Sequence, residues 1–183
     1  MPLACVIFET PIGICGIVWS GVGLAGVHLP EPSEAAAHGA LLRRFPGATA
    51  AAPPGPIARA IARIRAHLGG ARIDYDDIAL DRHRVGDFEM RVYARTSAIP
   101  PGGTATYGEV AAALGDPGLS RAVGQALGRN PWPIVVPCHR VTAADGRMGG
   151  FSAPGGGATK LRLLEIEGAL VPESLPLFAP RES

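Results

Sequence analysis

The sequence predicts an α/β N-terminal half, a small antiparallel sheet with helices, joined to a mostly α C-terminal half with a winged helix-turn-helix. Three observations lead there. Residues 3–29 hold three short apolar runs separated by turn residues, the pattern of a β-meander rather than a helix. Residues 106–127 read as two short helices around a Gly- and Pro-containing turn. Asp145-Gly146, a hairpin turn signal, follows soon after and marks a wing over residues 140–151.

The elements follow in chain order. Residues 3–9, LACVIFE, form a strand that turns at Pro11-Ile12-Gly13. Residues 14–19 and 24–29 pair as a hairpin across Ser20-Gly21. Ser33 caps a helix through Arg44, with Glu34 in its first turn. Gly47 to Pro56 is an Ala-, Pro- and Gly-rich loop, and Pro56 suits the first turn of the next helix. There Ile57, Ile61, Ile64 and Leu68 share one face, the mark of an amphipathic surface helix that Gly69-Gly70 ends. Residues 71–81 read as one more strand. The character changes near residue 85, which divides a domain of residues 1–84 from one of 85–183 with a tail from about 171. Asp87 caps a helix to about Ile99, with Phe88, Val92 and Tyr93 inward, and Pro100-Pro101-Gly102-Gly103 stops it. Thr106-Tyr107-Gly108-Glu109 is a capping box. Gly115 to Gly118 turn the chain and Ser120 opens a helix to about Leu127. Ile134-Val135-Val136 is strand-like. A last helix over Ala158 to Glu167 turns Leu161, Leu163 and Leu164 inward, with Gly168 as its C-terminal cap.

Composition bounds the function. The chain has 183 residues, and 17 basic side chains face 16 acidic ones, for a net charge of +1. A core of useful size is affordable at this length. The balance argues against a polyanion partner, because nucleic-acid binders usually carry a basic excess. Thr10 to Pro30 is uncharged, but five glycines interrupt it and no Lys or Arg precedes Arg43, so neither a signal peptide nor a membrane span is expected. Three cysteines without a CxxC pair fit a reducing, cytoplasmic setting. Cys5, Cys15 and His28 are too few and too scattered for a structural zinc site, so no metal is expected.

Chemistry concentrates at Pro137-Cys138-His139-Arg140. A thiol becomes a strong nucleophile on deprotonation, and an adjacent imidazole can take its proton directly or through a water. Isolated Cys-His pairs are often inert, and a buried cysteine is often a small hydrophobe. Here six blocks stand around the pair: T-Y-G-E-V from Thr106, S-R-A-V-G-Q-A-L from Ser120, R-N-P from Arg129, I-V-V-P-C-H-R-V from Ile134, G-F-S from Gly150 and L-L-E-I-E-G from Leu163. In order and spacing they resemble the O6-alkylguanine-DNA alkyltransferases, or methylated-DNA–protein-cysteine methyltransferases. The likeness is close over residues 85–183 and holds only in outline over residues 1–84.

The resemblance implies direct repair of guanine O6-alkylation in double-stranded DNA, by a single-turnover protein without a cofactor. Cys138 would attack the alkyl carbon and keep the group as a thioether, which water cannot hydrolyse as it does an acyl-enzyme. His139 would take the thiol proton through a water, and Glu167 would orient His139. Asn130 would tether the active-site turn, and Tyr107 would donate to the leaving guanine. Ser152, Phe151 and Val141 would contact the base. Arg121 would fill the space of a base flipped through the minor groove, while Ala122, Gly124 and Thr106 let the helix lie close to DNA. Phe151 departs from a common tyrosine, and Ala153-Pro154 from a glycine-rich continuation. The fold implied is a ribonuclease H-like N-terminal domain before the winged helix, acting as a monomer.

Two rival readings remain. A non-catalytic lesion-binding protein of the same fold would lack the nucleophile, which is present here. A cysteine hydrolase would turn over and leave Cys138 unmodified. The tail, Ser174-Leu175-Pro176-Leu177-Phe178, is similar to peptides that dock on bacterial sliding clamps through residues such as Leu175, Leu177 and Phe178, although such a tail more often packs on its own domain. Between Ser120 and Leu164 six basic residues face only Asp145, so a local basic segment is expected to offset the neutral total.

Overall fold

The computed structural model describes residues 1–144 and 156–169. Strands β1 (Ala4–Thr10), β2 (Gly13–Ser20) and β3 (Gly23–Glu31) form the expected meander, and the short β4 (Thr49–Ala50) adds a parallel edge to β1. The sheet order is β3-β2-β1-β4. Alternation along the strands splits the apolar side chains between the two faces. Cys5 and Val18 pack against Leu41 and Phe45 of helix α1 (Glu34–Arg44) and its end. Cys15, Ile17 and Val27 face helix α2 (Gly55–Leu68) and the C-terminal half. Gly26 is required here, because a Cβ would lie 2.0 Å from the Phe45 ring. The opposite faces also keep Cys5 and Cys15 apart, so they do not converge on His28, which bonds Glu31.

The helix signals hold with small changes. Ser33 accepts from Ala36 N–H, and Pro56 stands in the first turn of α2. Residues 71–81 form no strand: the segment touches the sheet by one bridge, Leu24 to Leu80, and its Tyr75, Ile78 and Leu80 pack on the core from irregular backbone rather than from a ladder. Helix α3 (Asp87–Ser97) is capped by Gly86, not by the Asp87 side chain. Strand β5 (Ala105–Thr106) leads into α4 (Tyr107–Ala113), and both bonds of the Thr106–Glu109 capping box are made. A 3-10 turn at Pro117–Leu119 joins α4 to α5 (Ser120–Gly128). Strand β6 (Val141–Thr142) pairs in parallel with β5. Helix α6 (Gly157–Ile166) buries Lys160, Leu163 and Leu164, so Lys160 rather than Leu161 takes the inward position. The turn of the expected wing lies outside the described residues.

Ile134-Val135-Val136 is not a strand. Pro131 and Pro133 each lack an N–H, Val136 N–H donates back to Trp132 O, and Ile134 adopts φ 75°, a left-handed conformation rare for a β-branched residue. The segment is a buried turn instead. Trp132, with no exposed surface, anchors it by donating Nε1–H to Leu24 O at 2.8 Å and meeting Tyr93 edge-on at 5.9 Å. Val27 N–H donates to Pro131 O at 2.8 Å. The sheet and the helical half therefore share one core around Trp132. None of the described helices is long and apolar enough to cross a membrane.

Candidate active site

The turn after Trp132 delivers Cys138 and His139 at the start of a 3-10 turn, Cys138–Arg140. Asn130 holds that turn from inside: its Nδ2–H donates to Val136 O and its Oδ1 accepts from Trp132 N–H, both at 2.9 Å. These bonds hold the strained Ile134 backbone in place. Arg44, at the end of α1, adds a bond to Asn130 O at 2.5 Å.

Glu167, the C-cap of α6, is the hub. Its Oε1 accepts from His139 Nε2–H and His67 Nε2–H at 2.8 Å each and from Arg140 at 2.9 Å, while Oε2 accepts from Arg140 Nε–H at 2.9 Å. Arg140 is thus bidentate, and it also donates to Ile99 O at 2.5 Å. An ionised carboxylate only accepts, so both imidazoles must present N–H at Nε2. That leaves His139 Nδ1 as the basic nitrogen. Among the described residues it is buried and has no hydrogen-bond partner.

The electrostatics agree with that tautomer. Burial raises the Glu167 carboxyl, but the bonds from His139, His67 and Arg140 outweigh it and hold the group well below the usual carboxylate range. Burial lowers His139, more than Glu167 raises it, so the ring is neutral and able to take a proton. Burial pushes the Cys138 thiol up, opposed by Asn130, Lys160 and Arg44. The thiol therefore needs a base, and the neighbouring residue supplies one.

Lys160 is 1 % exposed, donates to Val141 O at 2.5 Å, and has its Nζ 5.8 Å from the Tyr107 ring centre. Burial lowers its ammonium to about 8. Tyr107 is half-buried at the start of α4, and burial raises its hydroxyl. Val141 is fully buried beside it on β6. Arg121 is exposed in the first turn of α5; Ala122, Gly124 and Thr106 are half-buried nearby. A Cβ on Gly124 would come to 3.8 Å from Tyr107, so α4 and α5 are closely apposed there. Phe151 and Ser152 lie outside the described residues.

The structure thus brings together Cys138, His139, Glu167, Asn130, Tyr107 and Val141, and sets Arg121 on the adjoining surface. Sequence reasoning passed over His67, Lys160 and Arg44. Two of them were marked. Lys160 is the only lysine and stands at i, i+3, i+4 with Leu163 and Leu164; His67 interrupts the apolar face of α2 between Ile64 and Leu68. Of the expected basic segment, Arg121 is exposed and no ion pair is seen for it among the described residues. Arg140 and Lys160 are buried, Arg129 pairs with Glu89 and Arg162 with Glu165, and Arg147 lies outside the described residues.

A buried cysteine thiol, a carboxylate-oriented histidine and a helix-turn-helix together define a protein with a cysteine nucleophile on a fold of the nucleic-acid-binding type. The family model described as "6-O-methylguanine DNA methyltransferase, DNA binding domain" matches residues 87–169. A methylated-DNA–protein-cysteine methyltransferase of Methanothermobacter thermautotrophicus is 37% identical over 86% of this chain and 81% of its own. The chain belongs to the methylated-DNA–protein-cysteine methyltransferase family. A "DNA base-flipping protein" of Thermus thermophilus is 39% identical over 88% of this chain and 97% of its own. The structure of Mycobacterium tuberculosis OGT in complex with DNA superposes with a TM-score of 0.72 at 34% identity, covering 90% of this chain and 92% of that one.

Proposed function

We propose that the protein repairs double-stranded DNA by moving a methyl or larger alkyl group irreversibly from guanine O6 to Cys138. The observation that carries this reading is the neutral His139, locked by Glu167 with Nδ1 as its free base, beside a buried thiol that needs deprotonation. His139 takes the thiol proton, relayed by a water. The sulfur then forms a bond to the alkyl carbon as the carbon–O6 bond breaks. The electron pair passes to the guanine ring, where the Tyr107 hydroxyl donates a proton. The thioether has no activated carbonyl, so the protein is consumed.

A paired base is out of reach, and the target nucleotide has to leave the stack. Arg121 enters from α5 on the minor-groove side, and Ala122, Gly124 and Thr106 allow the close approach. Ser152 and Phe151, outside the described residues, are assigned with Val141 to contact with the base, as the family resemblance implies. The DNA complex of the Mycobacterium tuberculosis relative supports a DNA partner. We place the division of labour near residue 84, with a ribonuclease H-like half before it. The protein acts as a monomer in the cytoplasm, where its three free cysteines stay reduced. Leu175, Leu177 and Phe178, outside the described residues, are candidates for a sliding-clamp contact; unchanged clamp affinity after their truncation rejects that role.

The Thermus thermophilus relative, described as a DNA base-flipping protein, motivates a second reading for this chain, in which it flips and holds an alkylated base without transfer. Intact-protein mass after incubation with an O6-methylguanine duplex separates the readings. Transfer adds one methyl group to the wild type and none to Cys138→Ala. Bound DNA with an unmodified protein indicates a lesion binder, and repeated turnover indicates a cysteine hydrolase.

A further inference from the structure

His67 projects from the N-terminal half into the centre of the candidate site. It is 2 % exposed, 100 residues away in sequence from Glu167, and hydrogen-bonded to the same carboxylate oxygen as His139. Its other nitrogen, Nδ1, lies 2.9 Å from the Tyr75 hydroxyl. In the neutral ring, with Nε2–H given to Glu167, Nδ1 is the acceptor and Tyr75 the donor. Burial pushes the Tyr75 hydroxyl well above the usual phenol range, so the donor keeps its proton. The chain Tyr75–His67–Glu167–His139 therefore has one direction for every hydrogen.

We propose that His67 is a positioning residue of the transfer reaction: from α2 it donates to the Glu167 oxygen that orients His139, and so limits how strongly that oxygen holds the His139 proton. This rests on the alkyl-transfer reading above. Filling space does not require an imidazole. His67 stands in an apolar stripe with Ile57, Ile61, Ile64 and Leu68, where an apolar side chain would avoid the desolvation of two ring nitrogens. Holding Glu167 in place does not require it either, since Arg140 already grips both oxygens. What His67 adds is a third donor on Oε1. The titratable and charged groups facing it are Glu167, Arg140 and His139 from the C-terminal half and Tyr75 from the segment before α3.

Each donor on a carboxylate draws off negative charge. Without His67, Oε1 attracts the His139 proton more strongly, and His139 becomes imidazolium at a higher pH. A protonated His139 cannot accept from the thiol. The expected result is a displaced acid limb in the pH profile of transfer, not a uniform loss.

The test measures the single-turnover rate of Cys138 methylation by an O6-methylguanine duplex from pH 5 to 9, for wild type, His67→Phe and His67→Gln, with melting temperatures alongside. His67→Phe is expected to raise the midpoint of the acid limb by about 0.5–1 pH unit and to leave the alkaline plateau within about twofold of wild type. His67→Gln retains an N–H donor and is expected to stay near the wild-type midpoint. Tyr75→Phe, which removes the donor to His67 Nδ1 and so weakens the Nε2–H bond to Glu167, moves the midpoint in the same direction by less, and takes the place of His67→Phe if that variant does not fold. An unmoved midpoint in the folded variants, or equal plateau losses in Phe and Gln forms, overturns the proposal. A wild-type protein that takes up no methyl group overturns the transfer reading instead.

Discussion

Glu167→Gln probes the buried cluster most directly. The carboxylate takes two bonds from Arg140 at 2.9 Å and one each from His67 and His139 at 2.8 Å. Glutamine keeps the shape but offers one acceptor oxygen. Placed at the Oε1 position, that oxygen preserves three contacts and turns the amide N–H₂ against Arg140 Nε–H. Arg140, 4 % exposed, then stays charged without a counter-ion. Breaking a buried ion pair from one side costs about 3–5 kcal/mol, and the contacts that survive place this case near 3 kcal/mol. For a chain of this size that lowers the melting temperature by about 6–12 °C. Calorimetry at pH 7 measures it. The pH dependence gives a second reading. The folded-state value of Glu167 lies below its unfolded one, so its contribution is complete above about pH 5 and fades as the pH falls further. The gap between wild type and variant should narrow toward pH 3. Transfer should slow about 100-fold, because the imidazolium loses its anion while the tautomer is kept. Equal melting temperatures at pH 7, or a gap that stays constant down to pH 3, would refute the reasoning.

Other expectations follow from the same geometry. Asn130→Ala leaves Val136 O and Trp132 N–H without partners in a strained turn; denaturant unfolding should show a loss of about 2–3 kcal/mol, with slower transfer. Lys160→Met removes a cation that opposes the burial of the Cys138 thiol, so transfer at pH 7 should fall about tenfold. The deficit should shrink above pH 8, where Lys160, lowered to about 8, loses its charge in the wild type as well. Arg121→Ala, at an exposed position, should leave the melting temperature unchanged and slow reaction with duplex DNA while sparing reaction with the free O6-methylguanine base. Thr106→Ala should cost about 1 kcal/mol through the lost capping box, read by calorimetry.

The sequence showed those parts of the fold that local chemistry dictates. The Ser33 cap, Pro56 in a first turn, the Thr106–Glu109 box and the stripe from Ile57 to Leu68 each act within one or two turns, so their signals are compact. Segments placed by distant partners misled. Ile134-Val135-Val136 has strand composition, yet Trp132, Asn130 and two prolines make it a turn. Residues 71–81 carry alternating side chains, yet the sheet takes only one bridge from them. The site divides in the same way. Cys138, His139, Glu167, Asn130 and Tyr107 are carried by ordered motifs that resemble a family, whereas His67 and Arg44 lie outside those motifs and reach the site only through the packing of sheet and α2 on the C-terminal half.

The net charge of +1 takes on a different meaning in this light. Only part of the basic residues near the motifs is on the surface: Arg121 is exposed and Arg129 and Arg162 are exposed but paired, whereas Arg140 and Lys160 are internal, and Arg44 reaches in from α1 to Asn130 O. Lys160 and Arg44 both act to lower the thiol of Cys138 against its burial, and Arg140 fixes the carboxylate that orients its base. These three cations serve the nucleophile and its base. Affinity for DNA must then depend on shape, base flipping and few phosphate contacts, and binding measured from 50 to 200 mM salt should weaken less steeply than for a protein making six to ten of them. A slope equivalent to eight or more phosphates would refute this reading and would assign the binding to exposed arginines such as Arg121, Arg129 and Arg162.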